Sequence, residues 1–435
     1  MSGDGAEGRH LFKLVLVTYE FTYSPFSGNG ILARSIAKAL LKLGCHVCVL
    51  CCRPSEEAQR TDHHLSTPEI SEEAAGRLTL IPLQLAKGDG WCKLDDKSAW
   101  DQFAFGNLDE HGRLLLAGCV RDADAVLAID WTGAHAYKSF AVKDKPLVYM
   151  NFRVYSSGVV DEGRRQWFDD MERHALENAS VLVVLSQMDR INIQRITSFC
   201  SDKIELLLPP LRGDMQELAH TLHTTSEELD TFLPAEVLKA WPGPLTPRKR
   251  LLVTCVARIS PEKNVFRFLR FVEKAKSALE QLGFIPLLAG ASAEESYATA
   301  LKADLRKIAP EAIILDSFLS PKSLAAVFAR TALNFHPCAY DAYGMTLVEA
   351  AACGAPSVLA GESVGAWALL GSESLCVDMP PDENELSEDA VVAITSFLRS
   401  PELESVGVSA QKKALEWDEQ AYGSRLLEVI SSVAQ

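Results

Sequence analysis

The sequence predicts an α/β protein made of two doubly wound domains with parallel sheets, one following the other along the chain. Apolar strand-like runs alternate with helical segments, this alternation breaks up between about 211 and 249, and it restarts at Leu251. Alternating βα units build parallel sheets through right-handed crossovers. A chain of 435 residues is also too long for one ordinary core. Ligands of open α/β sheets bind at the carboxyl ends of the strands, so we expect a ligand where the strand ends of both domains face each other.

A βαβ unit opens the first half. The run FKLVLVTYEF (12–21) is an apolar strand, SPFSGNG follows as a flexible turn, and ILARSIAKALLKLG is a helix with one apolar face that ends at Gly44. The run CHVCVLCC is the next strand. Further strands are expected at 125–130, 145–150, 180–186 and 203–210.

The second half repeats the alternation. From Leu251 the strand-like runs are LLVTCVAR, FIPLLAG, AIILDSF, TALNFHP and APSVLAG, with helical segments between them. We predict an N-terminal Rossmann-like domain at 1–245, with a helical insertion and linker at about 211–249. A C-terminal Rossmann-like domain follows at 250–410, and an amphipathic helix at 411–435 is expected to pack back towards the N-terminal domain.

The eleven cysteines include one dense group, Cys45, Cys48, Cys51 and Cys52. A metal site is one reading of this group, but the chain offers no second matching pair. Successive residues of a strand point to opposite faces, so we interpret these cysteines as residues of a buried strand. Scattered cysteines in apolar runs fit a reducing compartment.

Composition and charge narrow the range of partners. The chain is 48% hydrophobic and 23% charged, which is typical of a globular protein, and its net charge of −15 argues against nucleic acid as the main partner. No apolar run is long enough for a transmembrane helix. The opening MSGDGAEGRH lacks a basic and apolar signal pattern, so we expect a cytoplasmic protein.

The stretch LLVTCVARISPEKN carries the first candidate anion site. Ser260 suits an N-cap and Pro261 the first turn of a helix, which places Arg258 at the strand end and Lys263 in that first turn. Two cations at a helix N-terminus oppose the helix dipole unless an anion is bound there. The alternative is a solvated Lys263 with Arg258 paired to Glu262.

A second candidate site lies in HPCAYDAYGMTLVEAAACGAP (336–356). We predict a strand, a loop and a short helix, in which Gly344 allows close approach of a ligand and the backbone N–H groups near Met345 and Thr346 bind phosphate. Glu349, about one turn into the helix, can accept hydrogen bonds from a diol such as ribose. Asp341 in the loop can do the same for sugar hydroxyls.

A family resemblance rests on three segments in the same order along the chain. These are GNGILARSIAKALLKLGCHVCVL, VARISPEKN and DAYGMTLVEAAACGAPSVL. Together they resemble the retaining glycosyltransferases of the GT-B fold, family 4 (glycosyl transferases group 1), which carry an RxxxEK segment and two acids in the spacing E-x7-E. DWTGAH and ERHALENASVLVVLS extend the similarity over most of the chain.

This resemblance implies two Rossmann-like domains facing across a cleft and a nucleoside diphosphate sugar as donor. It assigns Arg258 and Lys263 to the diphosphate, Asp341 to the donor sugar and Glu349 to the ribose. Arg258, Lys263 and Asp341 are then the catalytic candidates. The implied chemistry is front-face attack with retention, in which the leaving phosphate oxygen accepts the acceptor's proton.

The resemblance also bears on the first half of the chain. It implies that the glycine loop of Gly28, Asn29 and Gly30 faces the donor, although a glycine turn can also be purely structural. On the acceptor side the family commonly has a histidine after the strand KPLVYM, where this chain offers Asn151 and Arg153. Asp341 likewise replaces the usual glutamate, which shortens its reach by one methylene.

We expect neither a metal nor a cofactor beyond the nucleotide-sugar co-substrate. Asp122 and Asp124 have the spacing of a metal-binding pair, but they precede their strand, which is the wrong end for a ligand. Two other functions remain open, a GT-B sugar-nucleotide epimerase and a catalytically silent sugar-nucleotide-binding protein. A phosphorylase is disfavoured because no pyridoxal-type lysine segment stands out. The acceptor is not identified.

Overall fold

The computed structural model describes residues 11–21, 28–53, 71–84, 98–105, 108–140, 145–158, 162–198, 201–222, 230–242, 250–292 and 294–434. The chain forms two compact units. The first unit comprises Met1–Val184, Ile193–Leu207 and Glu419–Gln435, and the second comprises Leu185–Asn192 and Leu208–Asp418.

Strands and helices alternate along both units. The strands are β1 (Lys13–Thr18), β2 (His46–Arg53), β3 (Leu78–Gln84), β4 (Ala125–Ile129), β5 (Leu147–Asn151), β6 (Val181–Val184), β7 (Ile204–Leu206), β8 (Leu252–Val256), β9 (Ile285–Ala289), β10 (Ile313–Leu315), β11 (Thr331–Phe335), β12 (Ser357–Leu359) and β13 (Leu375–Cys376). The helices of the first half are α1 (Gly28–Lys42), α2 (Glu72–Ala75), α3 (Ser98–Phe105), α4 (Glu110–Asp122), α5 (Asp130–Phe140), α6 (Glu162–Leu176), α7 (Gln187–Ile196), α8 (Gly213–Leu222) and α9 (Ala235–Ala240). Those of the second half are α10 (Phe266–Leu282), α11 (Glu295–Ile308), α12 (Pro321–Ala329), α13 (Met345–Ala352), α14 (Trp367–Leu370), α15 (Glu388–Arg399), α16 (Leu403–Glu416) and α17 (Glu419–Ser431). Short 3₁₀ turns are formed by Tyr155–Gly158, Ser201–Lys203, Pro261–Lys263, Gly361–Ser363 and Gly371–Glu373.

Each unit contains one parallel sheet. In the first unit the strand order is β3-β2-β1-β4-β5-β6-β7, and in the second it is β10-β9-β8-β11-β12-β13. All pairings between neighbouring strands are parallel. In both sheets the order reverses beside the first strand, as in the doubly wound Rossmann fold. The predicted fold class of two Rossmann-like domains is confirmed.

Burial explains why the central strands were readable from the sequence. Strands β4, β5 and β11 are buried along their whole length, as expected when helices cover both faces of a parallel sheet. Strand β2 is buried except at its two ends, which places Cys48, Cys51 and Cys52 in the core. The interpretation of these cysteines as core residues is confirmed.

The edges of the sheets were harder to read. We did not predict β3, whose burial is mixed and which contains Pro82 at the edge of its sheet. Strand β7 ends at Leu206 rather than at 210, and Pro209 and Pro210 follow, whose nitrogens cannot donate to a ladder.

After the short segment Leu185–Asn192, the main part of the second unit begins at Leu208, upstream of the domain boundary predicted near 245. Within that unit, Trp417 Nε1 donates to the carbonyl of Leu208 at 2.9 Å, and the Tyr343 hydroxyl donates to that of Pro209 at 2.8 Å. Farther along, the buried guanidinium of Arg330 pairs with Asp230. These contacts join the stretch after β7 to the second sheet and its helices.

Two helical glycines of the first unit give a test of this packing. A Cβ at Gly133 in α5 would lie 2.6 Å from the Val17 carbonyl oxygen of β1, whereas a Cβ at Gly118 in α4 would meet nothing within 4 Å. Gly133→Ala should lower the free energy of unfolding by about 1–3 kcal/mol. Gly118→Ala should raise it by about 0.4–1 kcal/mol, because alanine restricts the unfolded chain. Urea denaturation of both variants measures this, and equal effects would contradict the close approach of α5 to β1.

Candidate functional site

The strongest polar cluster of the second unit lies at the carboxyl ends of β8 and β11. These strands are neighbours in a parallel sheet, so the loops that follow them leave the same edge. The loop after β8 carries Lys263 and the loop after β11 carries Asp341. Lys263 Nζ lies 2.7 Å from Asp341 Oδ2 although the residues are 78 positions apart in sequence. The structure therefore brings together two of the predicted site residues.

The turn that carries Lys263 differs from the predicted helix start. Pro261–Lys263 form a 3₁₀ turn, Asn264 adopts a left-handed conformation with φ 51°, and α10 begins only at Phe266. Ser260 precedes the turn, but its side chain makes no capping hydrogen bond. The prediction of a helix capped by Ser260 was wrong, because the left-handed Asn264 separates the turn from the helix.

Arg258 pairs with Glu262, the contact that the sequence left open as an alternative. The two side chains are 18% and 23% exposed, so the pair is only partly screened by water. A guanidinium held this way remains a rigid fork of donors at the end of β8. The pairing leaves the predicted diphosphate role of Arg258 untested.

Asp341 is surrounded by donors and cations. Besides Lys263, His336 Nε2 lies 3.4 Å from Asp341 Oδ2, and the thiol of Cys338 lies 3.7 Å from the same oxygen. Burial acts to raise the pKa of Asp341, but Lys263 and His336 outweigh it and hold that pKa well below its usual range. Asp341 is therefore a carboxylate at any pH near neutrality.

His336 was missed in the sequence analysis as a charged residue of the site. It directly follows β11, is 4% exposed, and its N–H donates to the carbonyl of Val358 at 2.9 Å. Burial lowers the pKa of His336, but Cys338 and Asp341 act in the opposite direction and raise it to about 9. The raised pKa favours the imidazolium form, which would place a second positive charge beside Asp341.

His336, Cys338 and Asp341 also form, among the described residues, a group with the spacing of metal ligands, since one ligand atom from each lies within 4.8 Å of the others. The Lys263 ammonium already neutralises the carboxylate of this group at 2.7 Å. A metal ion there would have to displace that ammonium. The expectation that no metal takes part stays a prediction.

Glycine at 344 is required by the backbone. Gly344 has φ 86°, in the left-handed region, and a Cβ there would lie 2.8 Å from Leu347 Cδ1. It is the N-cap of α13, whose first turn contains the half-buried Met345 and Thr346. The predicted order of strand, loop and short helix is confirmed, and the helix N-terminus follows the loop that carries Asp341.

Glu349 is buried in α13 beside a cation that the sequence analysis missed. Arg212 Nε lies 3.2 Å from Glu349 Oε1 and 2.9 Å from Asp214 Oδ1. Burial raises the pKa of Glu349, Arg212 lowers it and Asp214 raises it, with a net rise. Arg212 lies in the irregular stretch after β7, where the sequence shows no periodic pattern to place it.

The loop that carries Asp341 is fixed by side chains on both flanks. The Tyr340 hydroxyl donates to Asp189, which is fully buried and also accepts from the Ser186 hydroxyl at 2.9 Å. On the other side, the Ser363 hydroxyl donates to the carbonyl of Ala339 at 2.5 Å. These bonds preorganise the position of the carboxylate.

In the first unit, Gly28, Asn29 and Gly30 form the first turn of α1, whereas we predicted a turn before the helix. Asn29 Nδ2 donates to Asp130 Oδ2 at 2.5 Å, so its side chain stabilises that helix start. The rest of the predicted turn, 24–27, lies outside the described residues.

Asp130 is the centre of a buried polar network at the carboxyl end of β4. It has φ 53°, accepts from the Phe152 N–H and the Tyr155 hydroxyl at 2.8 Å each, and is 2% exposed. Burial raises its pKa to about 7, although both hydrogen bonds act in the opposite direction. The sequence analysis included Asp130 only as the first residue of the segment DWTGAH.

The acceptor-side candidates lie next to this network. Asn151 is fully buried, and its amide nitrogen lies 3.3 Å from the Tyr149 hydroxyl and 3.5 Å from Glu172 Oε1. Arg153 is half-buried. The amide of Asn151 thus serves an internal network in this structure, and its predicted contact with an acceptor stays a prediction.

Asp122 and Asp124 lie at the amino end of β4. Asp124 Oδ2 accepts a hydrogen bond from the backbone N–H of Lys13 at 2.8 Å, which joins the entries of two neighbouring strands. Neither aspartate belongs to a metal-type group among the described residues.

The second unit matches a known family. Residues 242–406 match the model of the family described as "Glycosyl transferases group 1". The matched segment lies within the second unit. This match contains Arg258, Lys263, Asp341 and Glu349. Comparison of the whole sequence with curated proteins gives no match.

Several solved structures are similar to nearly the whole chain. Sucrose-phosphate synthase from Thermosynechococcus elongatus aligns with TM-score 0.68 and 15% identity over 96% of this chain and 98% of its own. Anabaena HepE in complex with UDP and glucose aligns with TM-score 0.63 and 15% identity over 97% and 100%. An E. coli structure described as trehalose-6-phosphate bound with UDP-2-fluoro glucose aligns with TM-score 0.64 and 14% identity over 97% and 99%. At these identities the similarity establishes the fold, and the GT-B prediction is confirmed.

Within the described residues, no helix combines the length and the apolar character needed to cross a membrane.

The Arg212–Glu349 pair predicts a pH-dependent loss of stability. Arg212→Ala leaves the buried Glu349 without its cation, which should cost about 1–3 kcal/mol. The pKa of Glu349 is raised, so this carboxylate is more readily protonated at low pH, and protonation removes the unpaired charge. The loss of unfolding free energy should therefore be larger at pH 8 than at pH 5.

Urea denaturation at both pH values measures this loss. Arg270→Ala, which removes a more exposed pair with Glu273, serves as a control and should cost less than about 0.5 kcal/mol. Adding Glu349→Gln should remove most of the pH dependence. A loss that is independent of pH would contradict the pairing.

Proposed function

We propose that the protein is a retaining glycosyltransferase of family 4 that moves a sugar from a nucleoside diphosphate sugar to an acceptor. The observation that carries this proposal is the Lys263–Asp341 pair, at 2.7 Å, within the match to the glycosyl transferases group 1. It sets the predicted diphosphate cation beside the predicted sugar-binding carboxylate. The donor contacts would then come from the second unit.

In this proposal the cations stabilise the leaving diphosphate. Negative charge grows on the phosphate oxygens as the glycosidic bond breaks, and fixed donors that face this charge stabilise the transition state. Lys263 supplies a point charge and Arg258 a planar fork at the end of β8. The first turn of α13, after Gly344, adds backbone N–H groups at a helix N-terminus.

The carboxylates would bind the neutral parts of the donor. Asp341 is ionised, so it can only accept, which suits sugar hydroxyls. Glu349 lies at the end of the Arg212 side chain, which can hold one of its oxygens while the carboxylate receives a ribose diol. The deprotonation of the acceptor by the leaving phosphate oxygen belongs to this proposal.

Several finer features are also proposed. UDP and GDP are the nucleotides to test, and UDP is supported by the two similar structures whose descriptions contain it. We propose that transfer needs neither a metal nor a cofactor besides the nucleotide sugar, since Lys263 and Arg258 supply cationic charge at the predicted diphosphate site. A cytoplasmic location is also proposed, because cysteines scattered through apolar runs fit a reducing compartment.

A catalytically silent sugar-nucleotide-binding protein is the second candidate. It is favoured by the lack of the histidine that commonly follows the strand KPLVYM in the family. The chain offers Asn151 and Arg153 there instead, and Asn151 serves a buried network with Glu172. An epimerase of the same fold remains an alternative. Incubation with labelled UDP- and GDP-sugars, with and without EDTA, separates these functions through released nucleotide, epimerised sugar or binding alone. Activity that is lost with EDTA and restored by manganese would overturn the metal-free proposal.

Replacing the cations tests the diphosphate site. Arg258→Ala and Lys263→Ala should each lower turnover about 10²-fold or more, because each removes a charge that stabilises the leaving group. Lys274→Ala, which removes a lysine of the same unit that binds Glu388 and the Leu386 carbonyl, should leave turnover unchanged. Initial rates of donor consumption measure this. Unchanged kinetics in both site variants would contradict the assignment.

Replacing the two carboxylates distinguishes contacts with the ribose from contacts with the donor sugar. Glu349→Gln should weaken the binding of the bare nucleoside diphosphate and of the whole donor alike, by roughly 1.5–3 kcal/mol. Asp341→Asn should weaken the whole donor, but it should leave the bare diphosphate unaffected or tighten it, since Lys263 is released from its pair. Calorimetry with both ligands measures the difference. Equal losses for both ligands in both variants would mean that the two roles are wrongly divided.

A further inference from the structure

Asp341 has two cationic neighbours with different freedom to move. Lys263 is on a 3₁₀ turn, its side chain is 23% exposed, and its four-carbon stem is flexible. His336 is held at the end of β11 by its backbone bond to Val358, and its side chain is 4% exposed. Only Lys263 can leave the carboxylate without unpacking the sheet.

The proposed function requires Lys263 to leave. In the structure its ammonium is at Asp341, and a bound diphosphate would draw the ammonium to itself. Asp341 would then be a carboxylate, 14% exposed, without the partner that neutralises it. A charge left in that position is costly unless another cation or donor replaces the one that is lost.

His336 is placed to be that replacement. Its Nε2 is 3.4 Å from Asp341 Oδ2, longer than the usual 2.9–3.0 Å of an N–H···O bond, and it has no hydrogen bond of ordinary geometry within the described residues. The contact can therefore tighten when the ammonium departs. His336 Cε1 lies 3.5 Å from the position that a Cβ at Gly344 would occupy, so the imidazole is also close to the N-terminus of α13.

We propose that His336 is a positioning residue that holds the charge of Asp341 when Lys263 transfers from Asp341 to the donor diphosphate. This inference rests on the proposed function and deepens it. Donor binding then exchanges one ion pair for another: Lys263 moves from carboxylate to phosphate, and His336 becomes the sole cation of Asp341. The carboxylate remains ionised and oriented for the sugar hydroxyls.

A mutant cycle with bare UDP and GDP tests the exchange. His336→Gln keeps a donor but removes the charge, so Lys263 should stay on Asp341 and the affinity for the nucleotide should fall about tenfold. In the Asp341→Asn background no carboxylate retains Lys263, and the same His336→Gln change should alter the affinity less than twofold. A histidine that only fills space would give the same loss in both backgrounds, and that result would overturn the inference.

A second measurement needs no nucleotide. In Lys263→Met, which imitates the departed ammonium, His336 and Asp341 should be coupled about tenfold in the unfolding equilibrium constant, measured with His336→Gln, Asp341→Asn and their combination in that background. No coupling there would overturn the inference even if donors bind. If the wild-type protein binds neither nucleotide nor nucleotide sugar, the proposed function fails, and the exchange fails with it.

Discussion

The ion pair between Lys263 and Asp341 depends on the parallel sheet of the second unit. Neighbouring parallel strands end at the same edge, so the turns after β8 and β11 place side chains 78 residues apart within hydrogen-bonding distance. An antiparallel arrangement would send these turns to opposite edges. Each of the two segments that carry the pair contains one residue with a positive φ, Asn264 after β8 and Gly344 after β11. Strand order fixes where the charges meet, and these two residues fix how closely.

Charge at this edge is balanced in pairs. Arg258 is held by Glu262, Lys263 by Asp341, and Arg212 by Glu349 together with Asp214. A cation whose partner is a neighbouring acid is kept in place without a ligand and is available for an anion that offers more negative charge. The arrangement therefore holds these side chains in place without a ligand and is compatible with the proposed binding of a diphosphate.

The sequence was sufficient to predict the fold and part of the candidate site. Continuous apolar runs such as β4, β5 and β11 are buried on both faces. Their alternation with helices predicts parallel strands, because each helix can serve as the crossover that a parallel pair needs. The spacing around Asp341 and Glu349 also follows from the local pattern of loop and helix. The partners of these two carboxylates, His336 and Arg212, could not be predicted in the same way. In the sequence His336 is the end of an apolar strand and Arg212 is part of an irregular stretch. A contact between distant elements depends on how strands and turns pack, and no local pattern encodes that. The 3₁₀ turn at Pro261 was missed for a related reason, since a proline after serine favours a helix start equally well.

The division of the chain into units determines the order in which those units can be completed during synthesis. The second unit is complete at Asp418, whereas the first still needs Glu419–Gln435. Helix α17 covers α1 through Gly423, where a Cβ would lie 2.9 Å from the Cβ of Ala39. During translation the amino-terminal sheet is therefore made first, but its unit is completed after the second unit, and the face of α1 around Ala39 lacks its cover until Glu419–Ser431 have been made. Nascent chains expose apolar surface in such intervals, which is where chaperones act. A truncation that removes α17 would leave the completed second unit intact and extend that interval indefinitely.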